Sequence, residues 1–335
     1  LTTVDTDSGE RVSYNLDRLG LPLIEIATAP DVQTPDHAQS TARALGAVLR
    51  RTRRVRRGLG SIRQDLNVSI ACGDRVEIKG CQDLGWIPRI VRLEMARQLH
   101  FYRLANTLRE AAGQDALPPD RRSDDPEREA RVAEAVAARF PDVLNDVSSV
   151  FASSTSGMVE RGLAQGHVML ALSLPGLAGL LGTKTLDQEG AQLPRLGREL
   201  AGAAKLAGVR GVFHSDELPA YGITEAEVHG VRSTLSLAQD DAFVLCLAPD
   251  WQASLALEAV RNRALLAHHR LPREVRNVTV SKGAPLDGTT GPMRPLPGGA
   301  RMYPETDVPP LPLGAERWAR PVSYTHLRAH ETRLN

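Results

Sequence analysis

"GLGSIRQDLNVSIACGDRVEIKGCQDL", residues 58–84, decides how the first third of the chain is read. Polar side chains alternate through Ser61, Arg63, Asp65, Asn67 and Ser69, and after a short turn Arg75, Glu77 and Lys79 answer them. Successive side chains of a strand point to opposite faces, so the register decides which of these residues meet. Ala71, Cys72 and Gly73 are predicted to form a three-residue turn, with Gly73 in the left-handed position and Ile70 opposite Asp74. One face then carries Ser69 with Arg75, Asn67 with Glu77, and Asp65 with Lys79. The other carries Val68 with Val76 and Leu66 with Ile78, an apolar face for a core.

Such a hairpin can simply wet its polar face. Against that, Asp and Asn are depleted inside strands because they compete for local backbone hydrogen bonds, and here they stand two residues apart in mid-strand. Carboxylates able to hold Mg²⁺, beside Arg63 and Lys79 able to hold phosphate oxygens, are what a nucleotide site without a P-loop needs. No GxxxxGK[ST] occurs in the chain. Glu25 lies inside the apolar "PLIEIA", where an inward, unpaired carboxylate costs several kcal/mol. It is therefore expected to be paired, metal-bound or at an edge. If it faces the cavity of Asp65 and Glu77, three carboxylates converge around a hard divalent ion.

Outward from the hairpin, "RVSYNL" at 11–16 alternates like a half-buried strand. A helix is predicted from Thr34 as N-cap and Pro35, with Ala38, Ala42, Leu45 and Leu49 on one side. A longer one follows the hairpin, buried through Val91, Met95, Leu99, Tyr102, Ala105 and Leu108 and stopping near Gly113. Residues 114–131 turn polar. From about 146 to 283, strand-like "GHVMLALSLPG", "GVRGVFHSDELPAYG" and "DDAFVLCLAP" alternate with helical "PRLGRELAGAAKLAG", a helix from Thr224 and "WQASLALEAVRNRALLAHHRL". From 284 the text is Pro/Gly-rich and excludes regular helix or central strand. The last stretch, "RPVSYTHLRAHETRLN", has no apolar period and reads as a non-native tail; His326 and His330 carry little weight as metal ligands.

The 335 residues suit about two domains, and 42% hydrophobic with 24% charged residues is an ordinary globular balance. A formal charge of +1 gives no global sign of nucleic acid, so local runs carry that question. "RRTRRVRR", residues 50–57, puts six arginines in eight positions; it is either a solvated helix end or a patch for phosphates. Cys72, Cys81 and Cys246 show no CxxC spacing, which argues against zinc and disulfides and fits a reducing cytoplasm. No apolar run approaches the roughly 18–20 residues of a membrane span, and no signal peptide opens the chain. With Leu1 in place of an initiator Met, the chain reads as a fragment continuing upstream.

"YNLDRLGLPLIEIATAPD", "SIRQDLNVSIACGDRVEIKGCQDL" and "MRPLPGGARMYPETDVPP" together resemble the cradle domain of the glutamyl-tRNA(Gln) amidotransferase B/E family. "IRQDLNVSI", "MRPLPG" and "ARMYPETD" follow the archaeal E-type wording, and "LPGLAGLLG" with "GVFHSDELPAYGIT" is similar to an insertion shared with bacterial aspartyl-tRNA synthetases. The resemblance is collinear over roughly residues 10–312. It implies an α+β fold: an antiparallel-sheet cradle over 1–115, a polar, helical linker over 116–145, and an inserted α/β domain over 146–283. A cradle return over 284–320 and the tail 321–335 complete the division.

The resemblance also implies a reaction. ATP phosphorylates the side-chain carboxylate of Glu carried on tRNA(Gln), and ammonia displaces phosphate to give Gln-tRNA(Gln). Residue by residue, Glu25 matches a metal ligand, and Asp65 and Glu77 match acidic positions of the ATP and Mg²⁺ site. Asp65, Glu77 and Lys79 are the catalytic candidates, and Ser61, Arg63, Asn67 and Arg301 the candidate nucleotide contacts. Tyr303, Glu305 and Asp307 belong to the returning segment, as cavity lining or structural loop. Further metal ligands are expected upstream of Leu1, and the family's tRNA-gripping helical domain and tail beyond about 320. That leaves the arginine run and the insertion as candidate RNA contacts. No ammonia-producing residues are evident, so an asparaginase-like partner of the D type is implied, in the cytoplasm, without membrane or DNA, and the isolated fragment is expected to be inactive. Three alternatives stand beside this reading: the bacterial B-type protein, which the 146–283 insertion opposes; an RNA-binding or assembly module without activity; and an aspartyl-tRNA synthetase, whose class II motifs are missing.

Overall fold

The computed structural model describes residues 2–6, 9–13, 25–56, 58, 61–186, 191–280 and 287–295, with backbone alone at 2–6, 9–13, 294 and 295. Strands β1 (Thr2–Thr6) and β2 (Gly9–Ser13) pair antiparallel. β2 takes in the start of "RVSYNL"; Tyr14 to Leu16 lie outside the described residues. Helix α1 (Pro35–Arg51) begins as predicted. The Thr34 hydroxyl accepts the His37 N–H at 3.1 Å, and Pro35 occupies the first turn, where its missing N–H costs nothing.

β3 (Leu66–Val68) and β4 (Val76–Lys79) pair antiparallel in the predicted register, Leu66 opposite Ile78, Asn67 opposite Glu77 and Val68 opposite Val76. The turn departs from expectation, because Gly73 is not in the left-handed region. Space, not backbone angle, calls for glycine there: a Cβ would lie 2.0 Å from Gln98 Oε1. That oxygen accepts the Ile70 N–H at 3.2 Å, and the Gln98 amide donates to the Val68 carbonyl at 3.1 Å. Gln98 thereby satisfies backbone groups where the strand ladder stops.

Helix α2 (Ile87–Ala111) covers the hairpin's apolar face and ends before Gly113, whose φ is 67°. Val68, Val76 and Ile78 pack with Ile87, Ile90 and Val91, with α1 contributing Ala38 and Ala42. Burying an aliphatic side chain of this size stabilises by about 1.5–3 kcal/mol. The buried side of α2 is wider than its apolar spacing predicts: Leu99 is exposed, whereas Glu94, Arg97, Gln98 and Arg109 are buried.

The middle of the chain runs α3 (Pro126–Ala137), β5 (Asn145–Asp146), α4 (Gly157–Ala164), β6 (Val168–Leu174) and α5 (Leu196–Leu206). It continues through β7 (Phe213–His214), α6 (Glu225–Thr234), β8 (Ala242–Ala248) and α7 (Asp250–Leu266). Its strands form one antiparallel sheet in the order β5-β6-β8-β7. Leu170, Leu172, Val244 and Cys246 pack with Leu200 and Leu257 from α5 and α7, while Met169, Ala171, Phe243 and Leu245 pack with Val159 and Val231 from α4 and α6. Burial on both faces explains why "VMLALSL" and "AFVLCLA" are almost continuously apolar. The stretch 208–222, expected as one strand, keeps only β7. There the Asp216 carboxylate accepts the N–H groups of Gly179, Leu181 and Gly182, Glu217 accepts that of His214, and the chain turns into a 3₁₀ helix at Ser215–Glu217.

β9 (Glu274–Val278) and β10 (Thr290–Pro295) return to the sheet of the β3–β4 hairpin, giving the order β10-β9-β4-β3. β9 runs parallel to β4 and antiparallel to β10. Pro292 and Pro295 thus sit on an edge strand with a register shift between Pro292 and Arg294, in keeping with the exclusion of proline from central strands. The architecture is mixed α+β with largely antiparallel sheets and, among the described residues, no barrel.

Where β9 and β10 meet α2, α5 and α7, three buried carboxylates meet the buried guanidiniums of Arg97 and Arg276 and the partly buried one of Arg263. Arg276 Nη2 lies 2.7 Å from Glu199 Oε1 and its Nη1 2.7 Å from Glu274 Oε1. Arg97 holds Glu94 at 2.9 Å and Glu274 at 3.2 Å, and Arg263 holds Glu199 at 2.6 Å. Thr290 Oγ1 accepts from Arg276 Nε at 2.7 Å and donates to Glu94 at 3.1 Å. Burial works against the charge on Glu199, yet Arg276, Arg263 and Arg97 hold its carboxyl well below the usual range. Buried charges of this kind are tolerated only when paired, and here each carboxylate meets at least one guanidinium, although Arg97 Nη1 reaches Glu199 only at 3.5 Å and makes no hydrogen bond.

Candidate active site

Strand alternation places Asp65, Asn67, Glu77 and Lys79 on the face of the hairpin away from the α2 core. Lys79 Nζ stands 2.6 Å from Asp65 Oδ2 and 2.6 Å from Glu77 Oε1. Its pKa is raised, first by the hydrogen bond to Asp65, then by that to Glu77, so the ammonium stays charged between two carboxylates. The set carries one positive and two negative charges and remains partly open, the Asp65, Glu77 and Lys79 side chains keeping 42%, 22% and 28% of their surface. Such a surplus of negative oxygens beside an ammonium suits a hard cation on one side and an anionic group on the other.

Ser61, Arg63 and Asn67 are exposed, and of these Asn67 pairs opposite Glu77 on the hairpin. Glu25 is also exposed, which removes the desolvation problem its apolar context raised. Among the described residues no group of three or more His, Cys, Asp or Glu side chains is placed to hold a metal ion, so Glu25 does not join Asp65 and Glu77 here. Arg301, Tyr303, Glu305 and Asp307 lie outside the described residues.

Asn277 was not visible as a site residue from the sequence. The parallel pairing of β9 with β4 sets it opposite Lys79, exposed, so the polar face extends onto a third strand. The alternation in "EVRNV" signals a strand with Asn on one face, but nothing local says that this strand lies beside β4. On the same strand, Glu274 and Arg276 point the other way, into the buried charge cluster, which holds β9 against the site. The thiols offer no nucleophile: burial pushes Cys81 up to about 12 and Cys246 to about 11, and all three cysteines are buried and free. A cleft of about 460 Å³ elsewhere, lined by Asp142, Trp251, Leu255 and Glu258 among others, shares no residue with the hairpin.

Among the described residues no helix is long and apolar enough to cross a membrane. Residues 2–319 match the model of the GatB/GatE catalytic domain. The chain is 44% identical over 310 residues to the E subunit of glutamyl-tRNA(Gln) amidotransferase from Methanosarcina acetivorans, covering 92% of this chain and 43% of that protein. It is 41% identical over 315 residues to the E subunit from Methanopyrus kandleri, with 93% and 44% covered. Against that of Pyrococcus furiosus it is 44% identical over 305 residues, with 91% and 43% covered. The chain therefore spans less than half the length of these relatives. With a polar hairpin face in the register its sequence dictates and a family match over nearly its whole length, this chain belongs to the GatB/GatE catalytic-domain family.

Proposed function

We propose that the chain is the ATP-using portion of an E-type, tRNA-dependent amidotransferase subunit that converts Glu-tRNA(Gln) to Gln-tRNA(Gln). The observation that carries this reading is the Asp65–Lys79–Glu77 constellation on an open strand face, in a chain whose relatives bear the name of the E subunit of glutamyl-tRNA(Gln) amidotransferase. A carboxylate is a poor electrophile. In the proposed reaction an oxygen of the substrate Glu side chain attacks the γ-phosphorus of ATP, ADP leaves, and an acyl phosphate forms. Ammonia then attacks the carbonyl carbon, phosphate departs with the bonding pair, and the amide remains after loss of a proton.

Mg²⁺ commonly binds through one or two carboxylates, with waters and substrate phosphates completing its shell, and Asp65 with Glu77 fits that pattern. Bound there, the ion would neutralise phosphoryl charge and orient the phosphates. Lys79, now shared between the two carboxylates, becomes available to the phosphoryl oxygens once their charge is met otherwise. Arg63, Ser61 and Asn67, all exposed, are assigned phosphate and nucleotide contacts, and Arg301 is assigned with them from the family motif. Glu25 is assigned as a further metal oxygen; being exposed, it must move toward Asp65 and Glu77 to serve. Ammonia comes from an asparaginase-like partner of the D type, and the assembly works in the cytoplasm.

The test is ATP hydrolysis dependent on Glu-tRNA(Gln), by the full-length protein with its partner. Glu77→Gln is expected to lower turnover by at least about a hundred-fold, the scale for losing one electrostatic contact in a transition state. Glu25→Gln measured alongside decides whether Glu25 enters the metal shell. Wild-type turnover in both variants rejects the site.

A further inference from the structure

From His37 to Gln64 the chain has eight arginines and not one Asp or Glu, in a protein whose formal charge is +1. Arg43, Arg50 and Arg51 lie on α1 or at its end, and Arg53, Arg54 and Arg56 follow it; all six are exposed. The helix breaks sharply there, with Arg53 at φ 55°, Thr52 Oγ1 donating to the Leu49 carbonyl at 2.6 Å, and Arg54 N–H donating to Thr52 Oγ1 at 3.2 Å. Elsewhere, Arg97, Arg109, Arg121, Arg270, Arg273 and Arg276 each hold a carboxylate. In the run, no arginine has a carboxylate partner among the described residues. Attraction to a helix C-terminus accounts for Arg50 and Arg51 but fades within the last turn, leaving the later ones unexplained.

We propose that this arginine surface binds the sugar-phosphate backbone of the RNA whose aminoacylated end reaches the Asp65–Lys79–Glu77 face; the inference rests on the function proposed above. Guanidiniums without internal partners are the groups that meet phosphates, often two hydrogen bonds at a time. Arg56 and Asp65 are nine residues apart, so their separation cannot exceed about 30 Å, roughly one turn of a nucleic-acid duplex. An RNA end held at the polar face therefore brings its own phosphates within range. An anionic membrane is the lesser fit, because the run interleaves no aromatic residue to enter lipid.

The experiment measures binding of a tRNA transcript to the full-length protein across salt concentrations, for wild type and an Arg51→Gln/Arg54→Gln/Arg56→Gln triple variant. Each phosphate contact contributes about −0.7 to −0.9 to the slope of log affinity against log salt. The triple variant is expected to lose about two to three units of slope and on the order of ten-fold or more in affinity at physiological salt. The matching triple Arg→Lys variant should keep most of the slope, which separates charge from folding. If wild type binds and the Gln variant keeps its slope, the surface is not the contact and the proposed function stands. If wild type binds no tRNA, both fall. If vesicles of phosphatidylglycerol and phosphatidylcholine bind wild type in an arginine-dependent way while tRNA binding is unaffected, the surface belongs to a membrane and the proposal is overturned.

Discussion

On one face of the β3–β4–β9–β10 sheet, Asp65, Glu77 and Lys79 keep 42%, 22% and 28% of their side-chain surface in solvent. On the other, Glu94, Arg97 and Arg276 keep 1% or less. Both groups are charged and lie on the same small sheet and the helix packed against it, yet they answer to different physics. The buried set is balanced by pairing, Glu94, Glu199 and Glu274 against Arg97, Arg276 and the partly buried Arg263, and its oxygens are shared among guanidiniums and the Thr290 hydroxyl. The open set is unbalanced, and water tolerates the difference. A charge imbalance is tolerable only where solvent or a ligand can correct it, so the unbalanced face is the one to search for chemistry.

The sharpest way to break the comparison is Glu199→Gln. It leaves Arg276, Arg263 and Arg97 short of a counter-charge at a fully buried position, and should cost about 3–5 kcal/mol in denaturant unfolding. Acid provides a second handle on the same residue. Because folding lowers the Glu199 pKa, its stabilisation is complete above the ordinary value of 4.5 and is lost as pH falls below that. The gap between wild type and Glu199→Gln in urea midpoint should therefore narrow on going from pH 7 to about pH 3. Gly73→Ala comes next. Its Cβ would displace the Gln98 side chain and unpair the Ile70 and Val68 backbone groups, costing about 1–3 kcal/mol in the same assay. Lys79→Met should be the mildest for stability, at most about 1 kcal/mol, because its ion pairs are partly solvated. If it also leaves ATP turnover in the full-length protein untouched, the open face loses its claim to function.

The hairpin was legible because its information is local. Alternation fixed the faces, a short turn fixed the register, and Leu66, Val68, Val76 and Ile78 could face only one way. Thr34 and Pro35 announced α1 for the same reason. What stayed hidden depends on partners far along the chain. Gly73 needs its small size because of Gln98, Asn277 gains its place from a strand about two hundred residues away, and Glu94 with Arg97 are buried by Glu199, Glu274 and Arg276, all more than a hundred residues further on. The strand expected over 208–222 was overread because apolar content outweighed the Asp216 and Glu217 carboxylates, which bind backbone N–H groups there and nearby. The carboxylates of the open face came together with Lys79, while Glu25, expected beside them from its apolar context and from the family wording, does not join them, and Arg301 lies outside the described residues.

The parallel neighbour of β4 also sets a clock. β4 ends at Lys79 and β9 begins at Glu274, so about 195 residues must be made before the second edge of β4 is covered. At the usual 5–20 residues per second of synthesis, that is roughly 10–40 seconds. Throughout that interval Val76 and Ile78 belong to a two-stranded ribbon with an open flank, dependent on α1 and α2 for shelter. Ribosome pausing or chaperone depletion in this window would show first as aggregation of nascent chains, before any effect on the finished protein.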